Sequence, residues 1–153
     1  MAVGFPAVQD DLYREIILDH YRNPRHRVTV DPADGTLEAG NPLCGDELVL
    51  SWRLADRIVD AIGFTGKGCS ISQASASMMC EAVEGLDAGA AANLANRFRE
   101  MLLHEGSADD IGDLECLQGV RAYPVRIKCA LLPWTALLHM LNGGTERRVE
   151  VNG

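Results

Sequence analysis

A cysteine and an aspartate stand two positions apart in "NPLCGDELVL", with one glycine between them. Cys44 and Asp46 would offer a thiolate and a carboxylate, and both groups are ligands for Zn²⁺. Two further cysteines, Cys69 and Cys129, stand far along the chain. Three sulfur atoms and one oxygen atom form a reasonable tetrahedral zinc site, and sulfur-rich sets also suit iron–sulfur clusters. A shared site requires the fold to bring the four residues together.

The spacing of these cysteines does not specify a metal by itself. The chain has no CxxC pair, and the intervals between Cys44, Cys69 and Cys129 match no zinc finger. Three unrelated buried cysteines are therefore the alternative. The chain has five cysteines, an odd number, and "MAVGFPAVQDD" contains no secretory signal pattern. In a reducing compartment, ligands, reactive thiols or buried apolar residues are favoured over disulfides.

Length and composition predict a single globular domain. The 153 residues are 47% hydrophobic, which is ordinary for a soluble protein with one core. We expect the domain to span 1–153, with a flexible N-terminus (about 1–9) and a flexible C-terminal tail (about 144–153). A net charge of -8 argues against nucleic-acid binding. The longest apolar run, 129–141, is too short to cross a bilayer core of about 30 Å, so we expect a cytoplasmic protein without a membrane partner.

Helical spacing of apolar residues marks the elements that must position the cysteines. It predicts helices at about 10–22, from Ser70 to a stop at Gly85, and at about 88–104. Proline is better tolerated in a first turn than in a helix interior, so Pro133 predicts that the last helix begins near residue 131.

Alternating apolar residues predict a β-hairpin in the first half of the chain. The strands are "DELVLSWRL" and "IVDAIGFTG", joined by a turn at 55–57. We interpret 23–43 as an extended connection and 104–124 as a loop with one helical turn. The predicted fold class is α+β, with a small antiparallel sheet of about three strands and four to six helices packed mainly on one face.

The three separated cysteines fall at the ends of predicted elements. Cys44 immediately precedes a strand, and Cys69 precedes a helix with a capping-box pattern, Ser70 to Gln73. Cys129 lies just before or within the first turn of the last helix. A helix N-terminus stabilises a thiolate through its N–H groups and dipole. The neighbouring basic residues act in the same direction: Lys67 and Lys128.

Four motifs carry a resemblance to a known family. They are "LYREIILDHYRNPRH", "NPLCGDELVL", "GKGCSISQASASMM" and "LQGVRAYPVRIKCALL". Together they cover nearly the whole chain and resemble the IscU/NifU N-terminal family of iron–sulfur cluster assembly proteins. The segment before "RIKC" is similar to an insertion of the zinc-containing SufU branch, and Lys128 stands where IscU members carry histidine. The fold expected from the resemblance is IscU/NifU-N-like.

The resemblance implies a zinc site made of Cys44, Asp46, Cys69 and Cys129. It also implies a persulfide carrier with sulfurtransferase-like activity, which accepts sulfur from a PLP-dependent cysteine desulfurase of the SufS type. Cys44 would be the persulfide acceptor, after a histidine of the desulfurase replaces it on the zinc. Downstream SUF scaffold proteins are further possible partners. We hypothesise that the oxygen ligand Asp46 makes release of Cys44 easier than a closed four-cysteine site would.

A second function stays open at this point. The same cysteines could hold a [2Fe–2S] cluster, in which case the protein would be a scaffold that transfers the cluster to other proteins. The SufU-like insertion and Lys128 favour the sulfurtransferase. Arg126 and Lys128 are interpreted as surface charge or as residues that dock the desulfurase.

The remaining cysteines and histidines have simpler interpretations. Cys80 lies in mid-helix and is expected in the core. Cys116 lies in an acidic segment and is expected to be incidental or partly exposed. The four histidines are interpreted as satisfied structural or surface residues: His20, His26, His104 and His139.

Overall fold

The α+β prediction is confirmed by a computed structural model of the chain. The structure describes residues 7–42, 45–104, 111–143 and 148–150, with side chains from residue 13 onward. In chain order the elements are α1 (Ala7–Arg22), β1 (Gly35–Asn41), β2 (Asp46–Ala55), β3 (Ile58–Lys67), α2 (Ser70–Val83), α3 (Ala88–His104), a 3-10 helix (Gly112–Ala122), α4 (Pro124–Leu141) and β4 (Arg148–Glu150).

The sheet has four strands in the order β3-β2-β1-β4. β2 pairs antiparallel with β3, as expected, and also with β1, whereas β4 runs parallel to β1. The sheet is therefore mixed rather than purely antiparallel. β4 lies in the stretch that the sequence assigned to a flexible tail, and there Val149 pairs with Ala39. Three residues carry too little apolar pattern to predict a strand, so this pairing depends on β1 being in place.

The predicted hairpin is present as β2 and β3. Leu48 and Leu50 on β2 are 3% and 0% exposed, which agrees with the alternation in the sequence. Asp56 and Arg57 form the turn with φ values of 51° and 67°. Two left-handed residues in a two-residue connection match the right-handed twist of the flanking strands.

β1 lies inside the stretch that the sequence analysis interpreted as an extended connection. Its sequence, "GTLEAGN", has two glycines and only Leu37 and Ala39 as an apolar alternation. The strand forms because β2 supplies a complete partner, with Leu37 opposite Leu50. Pairing in the tertiary structure overrides weak strand propensity here.

The prediction for the start of the last helix is wrong. α4 begins at Pro124, a position where proline is well tolerated, and Pro133 lies in its interior. Pro133 has no N–H to donate to the carbonyl of Cys129, which is a cost to the helix. Burial of neighbouring apolar side chains offsets that cost, since Leu132 and Trp134 are at most 1% exposed.

The segment expected to be a loop contains a longer helix than predicted. The 3-10 helix runs over Gly112–Ala122 and buries Leu114, Leu117 and Val120. Residues 105–110, also in that segment, lie outside the described residues. A 3-10 helix has three residues per turn, so its apolar residues do not follow the 3.6-residue period of an α-helix.

α2 and α4 are joined by a buried hydrogen-bond bridge. The Ser75 hydroxyl donates to the carbonyl oxygen of Ala130 at 2.6 Å and accepts from Trp134 Nε1 at 3.1 Å. Trp134 also stacks on Phe98 of α3, with ring centroids 4.7 Å apart. The bridge therefore fixes α2 against α4 at the residue that follows Cys129. In the described part of the chain, no helix is long and apolar enough to cross a membrane.

We predict that Ser75→Ala destabilises the protein by about 1–3 kcal/mol, because the buried Trp134 N–H loses its acceptor. Chemical denaturation measures this change. Thr29→Ala, a similar deletion at an exposed residue, is the control and should change stability by less than about 0.5 kcal/mol. Equal stability of the two variants would contradict the importance of the bridge.

Candidate metal centre

Three of the four predicted ligands lie close together in the structure. Asp46 begins β2, Cys69 precedes α2, and Cys129 lies in α4. One carboxylate oxygen and the two sulfur atoms all lie within 4.8 Å of one another. The residues come from three separate elements, so the fold, and not a local sequence motif, assembles the cluster.

The carboxylate of Asp46 is held by the backbone of Cys69. Asp46 Oδ1 accepts a hydrogen bond from the Cys69 N–H at 2.8 Å, and Oδ2 lies 3.7 Å from Cys69 Sγ. The side chain is almost completely buried, since Asp46 is only 2% exposed. A buried carboxylate is costly unless it is paired or binds a cation. One oxygen of Asp46 is thus fixed, and the other faces the sulfur.

Cys69 itself caps α2. It has extended backbone angles, φ -71° and ψ 168°, and its Sγ accepts from the Ser72 N–H at 3.4 Å. The predicted capping box therefore does not form as expected, because Ser70 is already the first helical residue. The Gln73 side chain instead accepts from Arg27 Nη1 at 2.8 Å. Cys69 Sγ thus lies at the start of α2, where it contacts a backbone N–H group.

Gly68 leaves no room for a side chain next to this arrangement. A Cβ at this position would lie 2.6 Å from Asp46 Oδ1 and 2.5 Å from Ser72 Oγ. Glycine thus lets the carboxylate approach the start of α2. The sequence shows this glycine in "GKGC", but its contact with Asp46 can only be found in the folded chain.

The separation between one sulfur and the carboxylate fits a tetrahedral metal. For Zn–S of about 2.3 Å and Zn–O of about 2.0 Å, tetrahedral geometry requires a sulfur–oxygen separation of roughly 3.5 Å. The 3.7 Å between Cys69 Sγ and Asp46 Oδ2 is close to that value. Two sulfur donors and one oxygen donor leave one position of a tetrahedron for a further ligand.

The predicted fourth ligand, Cys44, lies outside the described residues, as does Leu43. The described residues on both sides form the end of the β1–β2 pair. Asn41 is opposite Asp46, and Gly45, with φ 74°, donates its N–H to the carbonyl oxygen of Asn41 at 2.9 Å. The connection from β1 to β2 thus ends directly at the cluster.

The expectation for Cys129 needs a correction. Because α4 begins at Pro124, Cys129 lies in its second turn and not at its N-terminus. The helix dipole therefore offers this sulfur less stabilisation than the sequence suggested. Cys129 is 2% exposed, whereas Cys69 is half-buried. Lys128 is also half-buried, and Lys67 is exposed.

The two other cysteines are core residues. Cys80 is completely buried, as predicted, and burial raises the pKa of its thiol far above the usual range. Cys116 was expected to be incidental or partly exposed, but it is only 1% exposed. Burial, followed by the charges of Asp113 and Glu115, raises the pKa of Cys116 to about 12. Neither thiol is a nucleophile at neutral pH, since the thiolate is the reactive form.

Three of the four histidines contact partners other than Asp46, Cys69 and Cys129. His20 Nδ1 lies 2.8 Å from Ser77 Oγ, and burial is the largest cause of its lowered pKa. His26 Nδ1 lies 3.1 Å from the carbonyl oxygen of Ile62, and the exposed His104 lies 3.5 Å from Glu100. His139 also has a partner. All four agree with the prediction of satisfied structural or surface residues.

Comparison with known proteins identifies similar sequences and structures. The family model of the NifU-like N-terminal domain matches residues 12–130. A zinc-dependent sulfurtransferase, SufU of Bacillus subtilis, is 44% identical over 88% of this chain and 92% of its own length. The iron–sulfur cluster assembly scaffold protein IscU of Streptococcus pyogenes is 39% identical, over 82% of this chain and 80% of its own.

The fold is similar to that of a solved NifU-like N-terminal protein from Brucella abortus. The two chains superpose with a TM-score of 0.80 at 25% identity, covering 87% of this chain and 94% of the other. The sequence similarity and the fold similarity thus lead to the same family.

We predict that Gly68→Ala weakens zinc binding by about 10- to 100-fold, the effect typical of disturbing a residue that orients a ligand. The added methyl group would displace the Asp46 carboxylate from the Cys69 N–H. Competition with a chromophoric chelator measures the affinity. Gly119→Ala is the matched control, because a Cβ there meets nothing within 4 Å. Equal zinc affinity in the two variants would contradict the proposed contact.

Proposed function

Since the chain belongs to the NifU-like N-terminal domain family, we propose that it is a zinc-dependent sulfur acceptor for iron–sulfur cluster assembly. It takes persulfide sulfur from a PLP-dependent cysteine desulfurase of the SufS type and relays it. The single observation that carries the proposal is the cluster of Asp46, Cys69 and Cys129, with ligand atoms within 4.8 Å of one another. The similarity to a zinc-dependent sulfurtransferase supports the choice of activity.

In this proposal, Asp46, Cys69 and Cys129 hold zinc together with Cys44. Bound zinc keeps its cysteine ligands deprotonated at neutral pH. Cys44 stands two residues before Asp46, so the Cα atoms of the two residues can be at most about 7.6 Å apart. Gly45, with φ 74°, lies between the two and adds backbone freedom.

Cys44 is the sulfur acceptor in the transfer step. Its thiolate attacks the terminal sulfur of the persulfide on the desulfurase cysteine. The sulfur–sulfur bond of the donor breaks, the donor cysteine leaves as a thiolate, and Cys44 becomes a persulfide. The exchange requires no external oxidant or reductant. Burial and raised pKa values make Cys80 and Cys116 poor acceptors in comparison.

The remaining ligands are better suited to stay in place. The Cys69 backbone is fixed by its N–H bond to Asp46 and by the helix that it caps. Cys129 is buried inside α4. Moving either residue would break these contacts. Cys44 stands in the sequence between the end of β1 and the start of β2, and we propose that it is the ligand that moves.

A second candidate function is a scaffold for a [2Fe–2S] cluster. It is favoured by the similarity to a protein described as an iron–sulfur cluster assembly scaffold. Metal analysis separates the two functions. One tightly held zinc in a colourless protein supports the sulfur acceptor, and a stable brown cluster supports the scaffold.

We predict that Cys44→Ser abolishes stimulation of the desulfurase and that mass spectrometry finds persulfide on Cys44 of the unchanged protein. The serine hydroxyl is a poor nucleophile at neutral pH, so no sulfur is accepted. Cys80→Ser is the control and should keep its zinc. Persulfide mainly on Cys80 or Cys116, with a fully active Cys44→Ser variant, would overturn the acceptor assignment and leave the zinc site intact.

Removal of the metal should lower the melting temperature. Zinc binds the folded state, so its binding free energy adds to stability. We predict a clear decrease with a strong chelator, and Cys69→Ser, Cys129→Ser and Asp46→Ala should reproduce it without chelator. Thermal unfolding and zinc content are measured together. Unchanged zinc content in these variants would refute the ligand assignment.

A further inference from the structure

An apolar groove lies beside the candidate metal centre. It has a volume of about 320 Å³ and lies between α1, the start of α2, the 3-10 helix and the start of α4. Its apolar lining consists mainly of Ile17, Leu18, Ile71, Val120 and Tyr123. We call this surface the α1–α4 groove.

The α1–α4 groove borders both helices that carry the site cysteines. Ile71 follows Cys69 by two residues, and Arg126 precedes Cys129 by three, about one helical turn. A molecule seated in the groove would therefore lie next to the proposed sulfur-transfer site.

Exposed apolar side chains stand at the start of α4, one of the helices that border the groove. Tyr123 is 62% exposed and Val125 is 56% exposed, the two highest values among the described large hydrophobic residues. Tyrosine combines a large apolar surface with a polar end and is enriched at protein interfaces. Tyr123 lines the groove, and an apolar groove with an exposed aromatic side chain is typical of a binding site for another protein.

Two arginines give the groove a charge opposite to that of the chain. Arg14 and Arg126 line it, and both are exposed. Over the described residues, neither guanidinium forms an ion pair with a carboxylate, although the chain has 22 acidic residues and a net charge of -8. The nearby Glu115 carboxylate instead accepts a hydrogen bond from the Tyr13 hydroxyl at 2.9 Å. The groove is thus complementary to a partner that is both apolar and acidic.

We propose that the α1–α4 groove is the docking site for a segment of the cysteine desulfurase. This segment has an apolar side chain with acidic residues next to it. The inference rests on the proposed function, because the partner is the sulfur donor named there. The apolar side chain enters the groove against Ile17 and Ile71, and the carboxylates pair with Arg14 and Arg126. Opposite charges at such a rim speed the encounter and set the orientation of the two proteins.

The test compares two double variants with the unchanged zinc-loaded protein, using the cognate desulfurase as the probe. Arg14→Glu/Tyr123→Ala should raise the dissociation constant about tenfold or more, because it removes an aromatic contact and reverses a charge. The matched control is Arg99→Glu/Leu103→Ala on α3, which changes the same charge and also removes an exposed apolar side chain. The control should bind within twofold of the unchanged protein. Calorimetric titration at low and high salt measures the dissociation constants of both variants and of the unchanged protein. High salt should weaken the complex between the unchanged protein and the desulfurase.

A second measurement separates docking from chemistry. Glutathione persulfide supplies sulfur without a protein interface, so Arg14→Glu/Tyr123→Ala should still gain persulfide on Cys44 from it and should keep its zinc. Failure of the unchanged protein to accept sulfur from this donor and from the desulfurase would contradict the proposed function. If the double variant does not fold, Arg14→Glu alone should weaken binding several-fold.

Three results would overturn the groove proposal alone. The first is a dissociation constant of the groove variant within twofold of the unchanged protein. The second is an equal loss of binding in the α3 control. The third is a dimer of the unchanged protein, seen by analytical ultracentrifugation, that Arg14→Glu/Tyr123→Ala abolishes, because the groove would then be filled by a second copy of the chain.

Discussion

The hydrogen bond between the Cys69 N–H and the Asp46 carboxylate, 2.8 Å long, is the contact on which the candidate site depends. It ties the first residue of β2 to the residue that caps α2, although 23 positions separate them in the chain. The bond fixes Oδ1 and turns Oδ2 toward the sulfur at 3.7 Å. It exists only because Gly68 has no side chain, since a Cβ there would overlap the carboxylate.

The third member of the cluster depends on the bridge at Ser75. Its hydroxyl bonds to Ala130 and Trp134 and so sets the position of α4 along α2. Cys129 is the residue before Ala130, so the bridge helps to place its sulfur within 4.8 Å of the Cys69 sulfur. A buried polar bridge is more specific than apolar contacts alone, because a shifted helix would leave its hydrogen-bonding groups unsatisfied.

The fold places the five cysteines in environments that suit different chemical roles. Burial keeps the thiols of Cys80 and Cys116 protonated at neutral pH, so they add to the core without competing in sulfur chemistry. Cys69 and Cys129 belong to helices that are packed against each other. Cys44 lies outside the described residues, and its place in the sequence, between the end of β1 and the start of β2 and beside Gly45, is the reason that it is the proposed sulfur acceptor. The α1–α4 groove would bring the donor protein to this site.

The sequence by itself determined the α+β class, the β2–β3 hairpin, three of the helices and the residue types of the candidate ligands. Their signals are local: apolar periodicity, a two-residue turn, and "CGD" and "GKGC" as they stand in the chain. Only the tertiary structure decided that β1 and β4 pair, that α4 runs through Pro133, and that Cys116 is buried. It also decided that Asp46, Cys69 and Cys129 meet. These features rest on contacts between residues distant in the chain, and packing energy there outweighs local propensity.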